Sequence, residues 1–525
     1  MQLYTQTELQ DAHESFFVFG QAAPPTVLPP KTSQGDFDAL LNELSSIVGD
    51  SNVASGADLI NFVDPFGVHQ DYVPSAAVCP ATVSEIQRVL KVMNRVKIPL
   101  WTCSRGKNLG YGGPAPRVRG SIVLSLHRMS AILEVDEKAA FAVVEPGVTF
   151  SDLSAYCLDH KPSVWPSVPS IGWGSVVGNT LDRGFGYNIL GDHHHSICGM
   201  EVVLANGDIV RTGQWAADGS PTAHVCKNSF GPQIDGLFLQ SNLGIVTKLA
   251  VWLQPRPEAY MSVVIHVDTL DDLSPMLEAL SSLHRSDILQ NNPLFGDVVG
   301  NMSAMKTAAE LYEGEGPIPD ADIVQLQKKY GLGFWSSMFD FYGTKEMIYA
   351  RLNKTKSVIR EYCPGARIEE KFFEGESGRP LDAKAIAKVT RGEPVGVVGT
   401  SRTSMINFAL PYGGGGRGAH TDFVPILPHD GTLTLKWLTD CRKIVREHGF
   451  NPILGGRFFK KHSLLIGMIL YDAENPTHLE KVPKLWQALA KKAEDYHFTS
   501  YRSHLDNMGR CRRRQGLCYI LLTYY

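Results

Sequence analysis

The chain has 525 residues, 43% of them hydrophobic and 20% charged, with nine cysteines and a formal net charge of −4. That is the make-up of a globular protein of at least two domains, and a near-neutral balance with no long basic run before the extreme C-terminus argues against nucleic acid or an anionic membrane as partner. An odd number of scattered cysteines suits a reducing compartment better than a disulfide framework, no apolar run approaches membrane-spanning length, and the polar first 20 residues offer no secretory signal.

Residues 1–35 read as an arm, Pro-rich and extended over 22–30, leading into a helix over 37–48. Thr82 and Glu85 form a capping-box pattern, with Ile86, Val89, Leu90 and Met93 following at helical spacing. A buried strand then begins at 98–100 and runs into Trp101-Thr-Cys-Ser-Arg-Gly-Lys-Asn-Leu-Gly-Tyr-Gly-Gly113. Its glycines allow a tight turn whose backbone N–H groups converge, a concave row of donors suited to a phosphate, and Arg105 and Lys107 add positive charge. The spacing lacks the Gly-Lys-Ser/Thr ending of a P-loop, and no helix pattern follows as a Rossmann fingerprint requires. A plain Gly-rich surface loop is the alternative reading.

Strands are expected at 122–126 and, as a hairpin, at 132–135 and 140–144; Glu145-Pro146-Gly147 then turns the chain into a short helix over 150–158. A second Gly-rich stretch runs from Ser170 to His193. The run His193-His194-His195 suggests a metal, but on a strand adjacent residues point to opposite faces, so no metal site is expected. Asn206-Gly207 joins a hairpin of 200–204 and 209–212, a strand covers 244–253, and Pro255 and Pro257 mark a boundary. Beyond it come a strand at 263–267, a helix at 273–283, an irregular 292–333 with helical pieces, read as part of a lid or an oligomer contact, a helix at 345–362 and a strand at 367–373. A second round gives strand 420–426, helix 433–447, strand 464–471 and helix 478–496. Two such rounds predict an antiparallel sheet backed by helices, and the irregular alternation gives the whole chain an α+β character.

Several blocks form an ordered series: Gly106-x-Asn108-x-Gly110-Tyr111-Gly112-Gly113, Glu145-Pro146-Gly147, Gly178-Asn179-Thr180, Asp182-Arg183-Gly184-x-Gly186-Tyr187 and Ser241-Asn242-x-Gly244-Ile245-Val246-Thr247. From about residue 40 to residue 508 the chain resembles the vanillyl-alcohol oxidase flavoprotein family, in its phenol-oxidising branch. The resemblance implies an arm (1–35), a two-subdomain FAD-binding domain (36–260), a cap domain with an antiparallel sheet backed by helices (261–498) and a return to the FAD domain with an atypical tail (499–525). It also implies that Ser104, Arg105, Gly106, Lys107, Asn108 and Leu109 hold the flavin pyrophosphate. Ser175, Gly178, Asn179, Thr180, Tyr187, Asp192 and His193 would line the isoalloxazine and ribityl side, with Ile245 and Val246 approaching the ring. His420 matches the family's covalent flavin histidine, and His69 is a candidate to assist it, with a plain surface role as the alternative.

By the same resemblance Tyr111, Tyr501 and Arg502 bind the substrate's phenol oxygen. Three departures stand out. Ser170 occupies a position where the family has an aspartate near flavin N5; Asp422 stands where it has an apolar aromatic; and 509–525 replace the usual C-terminal helix and tail, as a shifted reading frame or altered splicing would do. Asp422, two residues past His420 on a strand, shares its face and is a candidate base; capping a turn or pairing with Arg417 is the alternative. The activity implied is oxidation of para-substituted phenols through a p-quinone methide, with O2 as final acceptor and hydrogen peroxide as product. The rival readings are a dehydrogenase serving a cytochrome and a catalytically impaired flavin-binding protein. A small phenolic substrate, a homo-oligomer and a cytoplasmic or peroxisomal location complete the expectation.

Overall fold

The computed structural model describes residues 23–66, 71–161, 163–376, 381–399, 403–411 and 415–508. His69, most of the N-terminal arm and the 509–525 tail lie outside these described residues. The chain forms two compact units: residues 23–186 with 192–255, and residues 256–508 with the short insert 187–191.

In the first unit, helix Gln34–Val48 starts at Ser33, whose hydroxyl accepts the Asp36 N–H, and buries Phe37, Leu40, Leu44 and Val48 on one face. Helix Val83–Val96 starts at Thr82, which accepts from Glu85 N–H at 3.1 Å; the Glu85 carboxylate reaches one residue past the usual capping-box target, to Ala81 N–H. Both helices pack in one apolar cluster with a four-stranded sheet ordered Val53–Ala54, Ala76–Val78, Ile122–Ser125, Leu100–Cys103. Each fully buried aliphatic side chain there, such as Ile86, Val89 or Leu44, contributes roughly 1.5–3 kcal/mol. The last three strands are parallel, and Leu100–Cys103 lies at the edge. The loop that follows it therefore leaves the carboxyl end of a parallel sheet, where open α/β sheets bind ligands. The second sheet of this unit is antiparallel and ordered Ile132–Asp136, Phe141–Val144, Gly244–Trp252, Ile197–Leu204, Ile209–Arg211.

The second unit is built on an antiparallel sheet of eight strands. The order is Arg367–Glu374, Ala259–Val267, Trp335–Gly343, Leu294–Asp297, Leu454–Phe458, His462–Asp472, Gly418–Phe423, with Ile426–Pro428 also pairing with His462–Asp472. Helices Leu273–Arg285, Lys345–Tyr362, Gly431–Glu447 and Pro476–Asp495 back it, as the two sequence rounds predict. The helical pieces expected in 292–333 are helices Val298–Ser303, Ala308–Leu311 and Asp320–Tyr330, but the stretch opens on an interior strand, Leu294–Asp297, that was not expected. Two further interior strands, Trp335–Gly343 and Leu454–Phe458, went unread because they are buried on both faces, so no alternation marks them. Residues 499–508 group with this unit. Among the described residues no helix is long and apolar enough to cross a membrane.

Candidate functional site

In the first unit the loop Ser104–Gly113 turns as its glycines demand. Gly106, Gly110, Gly112 and Gly113 have φ of 65°, 78°, 111° and 57°, the left-handed region that side chains disfavour. The Asn108 carbonyl accepts from the N–H groups of Tyr111 (3.2 Å) and Gly113 (3.1 Å), closing the turn. Arg105, Lys107 and Leu109 are half-buried along it. Cys103, just before the loop, is no nucleophile: burial pushes its thiol up to about 12.

The second Gly-rich stretch meets this loop. Asn108 donates through Nδ2 to Asp182 at 3.1 Å, and a Cβ at Gly178 would lie 2.3 Å from Ser104 Oγ, so any side chain there would force the Ser104 hydroxyl to turn away. Gly178 sits in helix Val176–Leu181, capped by Ser175, whose hydroxyl accepts the Gly178 N–H and donates to the Pro146 carbonyl at 2.6 Å. Thr180 is buried on the same helix, and Asn179 Oδ1 accepts from His193 Nδ1 at 2.7 Å, while His193 Nε2 lies 3.0 Å from Ser167 Oγ. His193 stacks on Phe150 at 5.3 Å. Residues His193–Ser196 form a 3₁₀ turn, not the strand expected, with Asp192 at its N-cap. His194 and His195 turn with Asp192, while His193 alone is buried.

Ile245 and Val246 are buried on strand Gly244–Trp252, opposite Val203 and Val202, and Ile245 belongs to the main apolar cluster of the unit. Tyr111 is buried at the loop's end, and Ser170 is half-buried in the coil before Trp173.

In the second unit His420 and Asp422 lie on strand Gly418–Phe423, opposite Leu470 and Met468. As i and i+2 they share a face, and His420 Nδ1 is 3.4 Å from Asp422 Oδ1, with both side chains nearly buried. The Arg417 backbone N–H donates to Asp472 Oδ1 at 2.9 Å, which holds the turn before the strand. Tyr501 and Arg502 join this site through the backbone. Ile426 N–H donates to Thr499 O at 2.8 Å, Ser500 bridges Pro425, and Tyr501 N–H donates to Val424 O at 3.2 Å. The Tyr501-Arg502 pair is thus fixed beside the end of the strand that carries His420 and Asp422.

The sequence reading missed a buried polar network in this unit. Asp340, fully buried on the interior strand, accepts from Tyr260 OH (2.6 Å), Asn291 Nδ2 (2.9 Å) and Arg391 Nη2 (3.0 Å). Asn291 Nδ2 also donates to the Tyr187 carbonyl at 2.8 Å, and the Arg457 guanidinium lies 3.9 Å over the Tyr187 ring. Tyr187 is therefore anchored among residues of the second unit. Burial, then the Asp340 charge, raises the Tyr260 phenol well above its usual range, which keeps it a donor. Burial opposes the Arg391 charge, and Asp340 with Tyr260 and Glu393 outweighs it. The only sequence signal was an aspartate inside an apolar run.

An FAD would suit these residues. The first loop combines left-handed glycines with two cations for a pyrophosphate, and a Cβ at Gly174 would meet nothing within 4 Å, which leaves space beside the second stretch. Comparison with known proteins agrees. Residues 74–213 match the family model described as an FAD binding domain. The chain is 32% identical over 482 residues to the 4-cresol dehydrogenase [hydroxylating] flavoprotein subunit of Pseudomonas putida, covering 91% of this chain and 90% of that protein. The fold is similar to that of 4-ethylphenol oxidase from Gulosibacter chungangensis, with TM-score 0.86, 28% identity and 93% of each chain covered. It is also similar to p-cresol methylhydroxylase with substrate bound, with TM-score 0.85, 30% identity and 94% of each chain covered. The chain therefore belongs to the vanillyl-alcohol oxidase/4-cresol dehydrogenase flavoprotein family and is an FAD-dependent oxidoreductase.

Proposed function

We propose that the protein oxidises para-substituted phenols, such as 4-hydroxybenzyl alcohols and 4-alkyl or 4-allyl phenols, at the carbon attached para to the hydroxyl. The observation that carries this reading is the pairing of residues 499–501 with 424–426, which sets Tyr501 and Arg502 next to the strand of His420 and Asp422. A phenol with a pKa of about 10 is mostly protonated at neutral pH. The Arg502 guanidinium and the Tyr501 hydroxyl stabilise its anion and lower that pKa. The phenolate pushes electron density through the ring, so a para-benzylic C–H leaves as hydride and the substrate becomes a neutral p-quinone methide. FAD, when bound, supplies the hydride acceptor.

Water adding to the quinone methide must give up a proton. Asp422 takes it, a task for which the uncharged Ser170 hydroxyl is poorly suited. Asp422 also faces His420 Nδ1 at 3.4 Å. A proton held on Nδ1 leaves Nε2 as the nucleophilic nitrogen, which makes His420 the proposed point of covalent flavin attachment. Electrons then pass to O2, which leaves as hydrogen peroxide. A second reading, transfer to a cytochrome-type acceptor, is favoured by the similarity to a dehydrogenase flavoprotein subunit.

Adding 4-hydroxybenzyl alcohol under anaerobic conditions tests the first claim: the flavin absorbance should bleach, and failure to bleach overturns the reading in favour of an impaired flavin binder. Peroxide release in air then supports the oxidase. Bleaching with no peroxide, relieved by an artificial one-electron acceptor, supports the dehydrogenase.

A further inference from the structure

We infer that Asp192, His194 and His195 form a binding site for one divalent transition-metal ion. Among the described residues these three bring one ligand atom each to within 4.8 Å of one another. The 3₁₀ turn His193–Ser196 explains the grouping. With three residues per turn, the N-cap Asp192 and His195 lie one above the other, and His194 stands beside them. His194 Nδ1 is 2.6 Å from Asp192 Oδ1, and His195 Nε2 is 3.4 Å from Asp192 Oδ2. The two imidazoles lie tilted at 36° to one another with centroids 4.1 Å apart. Ligands around a tetrahedral ion at bond lengths of 2.0–2.1 Å stand about 3.4 Å apart, so small side-chain rotations suffice.

The histidine triplet thus divides. His193 points inward to Asn179 and Ser167, whereas its two neighbours turn toward the Asp192 carboxylate. With 72% of its side chain exposed, His195 opens the cluster to an entering ion and to water, while His194 Nδ1 is buried against the carboxylate. Two imidazoles and one carboxylate suit Zn²⁺, Ni²⁺ or Cu²⁺, not Mg²⁺ or Ca²⁺. The turn is held from outside the cluster, since Lys227 Nζ donates to the His195 carbonyl. Lys227 and Arg183 are the positive charges nearby, and they keep the affinity below that of a closed structural site.

The test is Zn²⁺ titration of the full-length, tag-free flavoprotein after EDTA treatment, in competition with a chromophoric chelator. The wild type should take up one equivalent, and His160→Gln, at an exposed histidine elsewhere, should do the same. His195→Gln alone and the double variant His194→Gln/His195→Gln should lose that equivalent. Since His195 is mostly exposed, the single variant keeps the test free of folding defects, which the flavin spectrum checks. No competitive uptake by the wild type, or an equivalent that survives both site variants, overturns the proposal and leaves the cluster as an ion pair within the turn.

Discussion

Arg502 offers the substrate a fixed, always-charged fork, whereas Tyr501 offers one donor. A hydrogen bond to a charged group is worth about 1.5–3 kcal/mol, so Arg502→Ala should lower kcat/KM for 4-hydroxybenzyl alcohol roughly 10- to 100-fold. It should also move the alkaline rise of the pH profile toward the free phenol's pKa. Arg502→Lys should recover only part, because an ammonium lacks the planar pair of donors. A wild-type-like profile for Arg502→Ala would remove the phenolate from the mechanism. For the neighbouring pair, Asp422→Asn should lose both covalent flavin and turnover, with FAD appearing in the supernatant after acid precipitation. Adding Ser170→Asp should restore part of the turnover. If Asp422→Asn keeps its flavin and its rate, Asp422 is not the base. The face shared by His420 and Asp422 was legible in the sequence, because strand period alone puts i and i+2 together. The 3₁₀ turn at 193–196 was not, since three histidines carry no periodic signal that separates a turn from a strand.

At the scale of elements, alternation and capping made the helices and the half-exposed strands readable: Thr82 and Glu85 mark the start of Val83–Val96, and its apolar spacing marks the buried face. The interior strands were not readable. Leu294–Asp297, Trp335–Gly343 and Leu454–Phe458 are covered on both faces and interrupted by glycine, serine or aspartate, so neither period appears. One of them ends on a titratable group with a consequence. Asp297 caps helix Val298–Ser303 by accepting the Gly300 N–H at 2.8 Å. Burial pushes its carboxyl up to about 7, outweighing that hydrogen bond. The unfolded chain ionises this group near the usual carboxylate value of about 4, so the proton is held more tightly in the fold. Its contribution is fully present below about pH 4 and is lost as pH rises through about 7. Asp297→Asn keeps the capping oxygen and removes the titration. Chemical denaturation from pH 4 to 8 should therefore show the variant gaining on wild type as pH rises; parallel curves would contradict this.

Across the whole molecule, the chain passes from the first unit to the second at 186/187, back at 191/192 and over again at 255/256. The short insert is held in the second unit by the Asp340 network, through Asn291 to the Tyr187 carbonyl and through Arg457 to its ring. Removing one partner of a buried ion pair costs about 3–5 kcal/mol, because the remaining charge is stranded. Asp340→Asn should accordingly lower the unfolding free energy by that order, with Arg391 left without its hydrogen-bonded carboxylate. A change within about 0.5 kcal/mol, the range of ordinary surface substitutions, would show the network to be dispensable. The proposed reaction runs through a substrate phenolate. The measurement that tests it most directly is anaerobic stopped-flow reduction of the flavin by 4-hydroxybenzyl alcohol and, separately, by its methyl ether, 4-methoxybenzyl alcohol. Rapid bleaching by the phenol and none by the ether, whose blocked oxygen cannot form a phenolate, is the expected result. Equal reduction rates for the two compounds would contradict it.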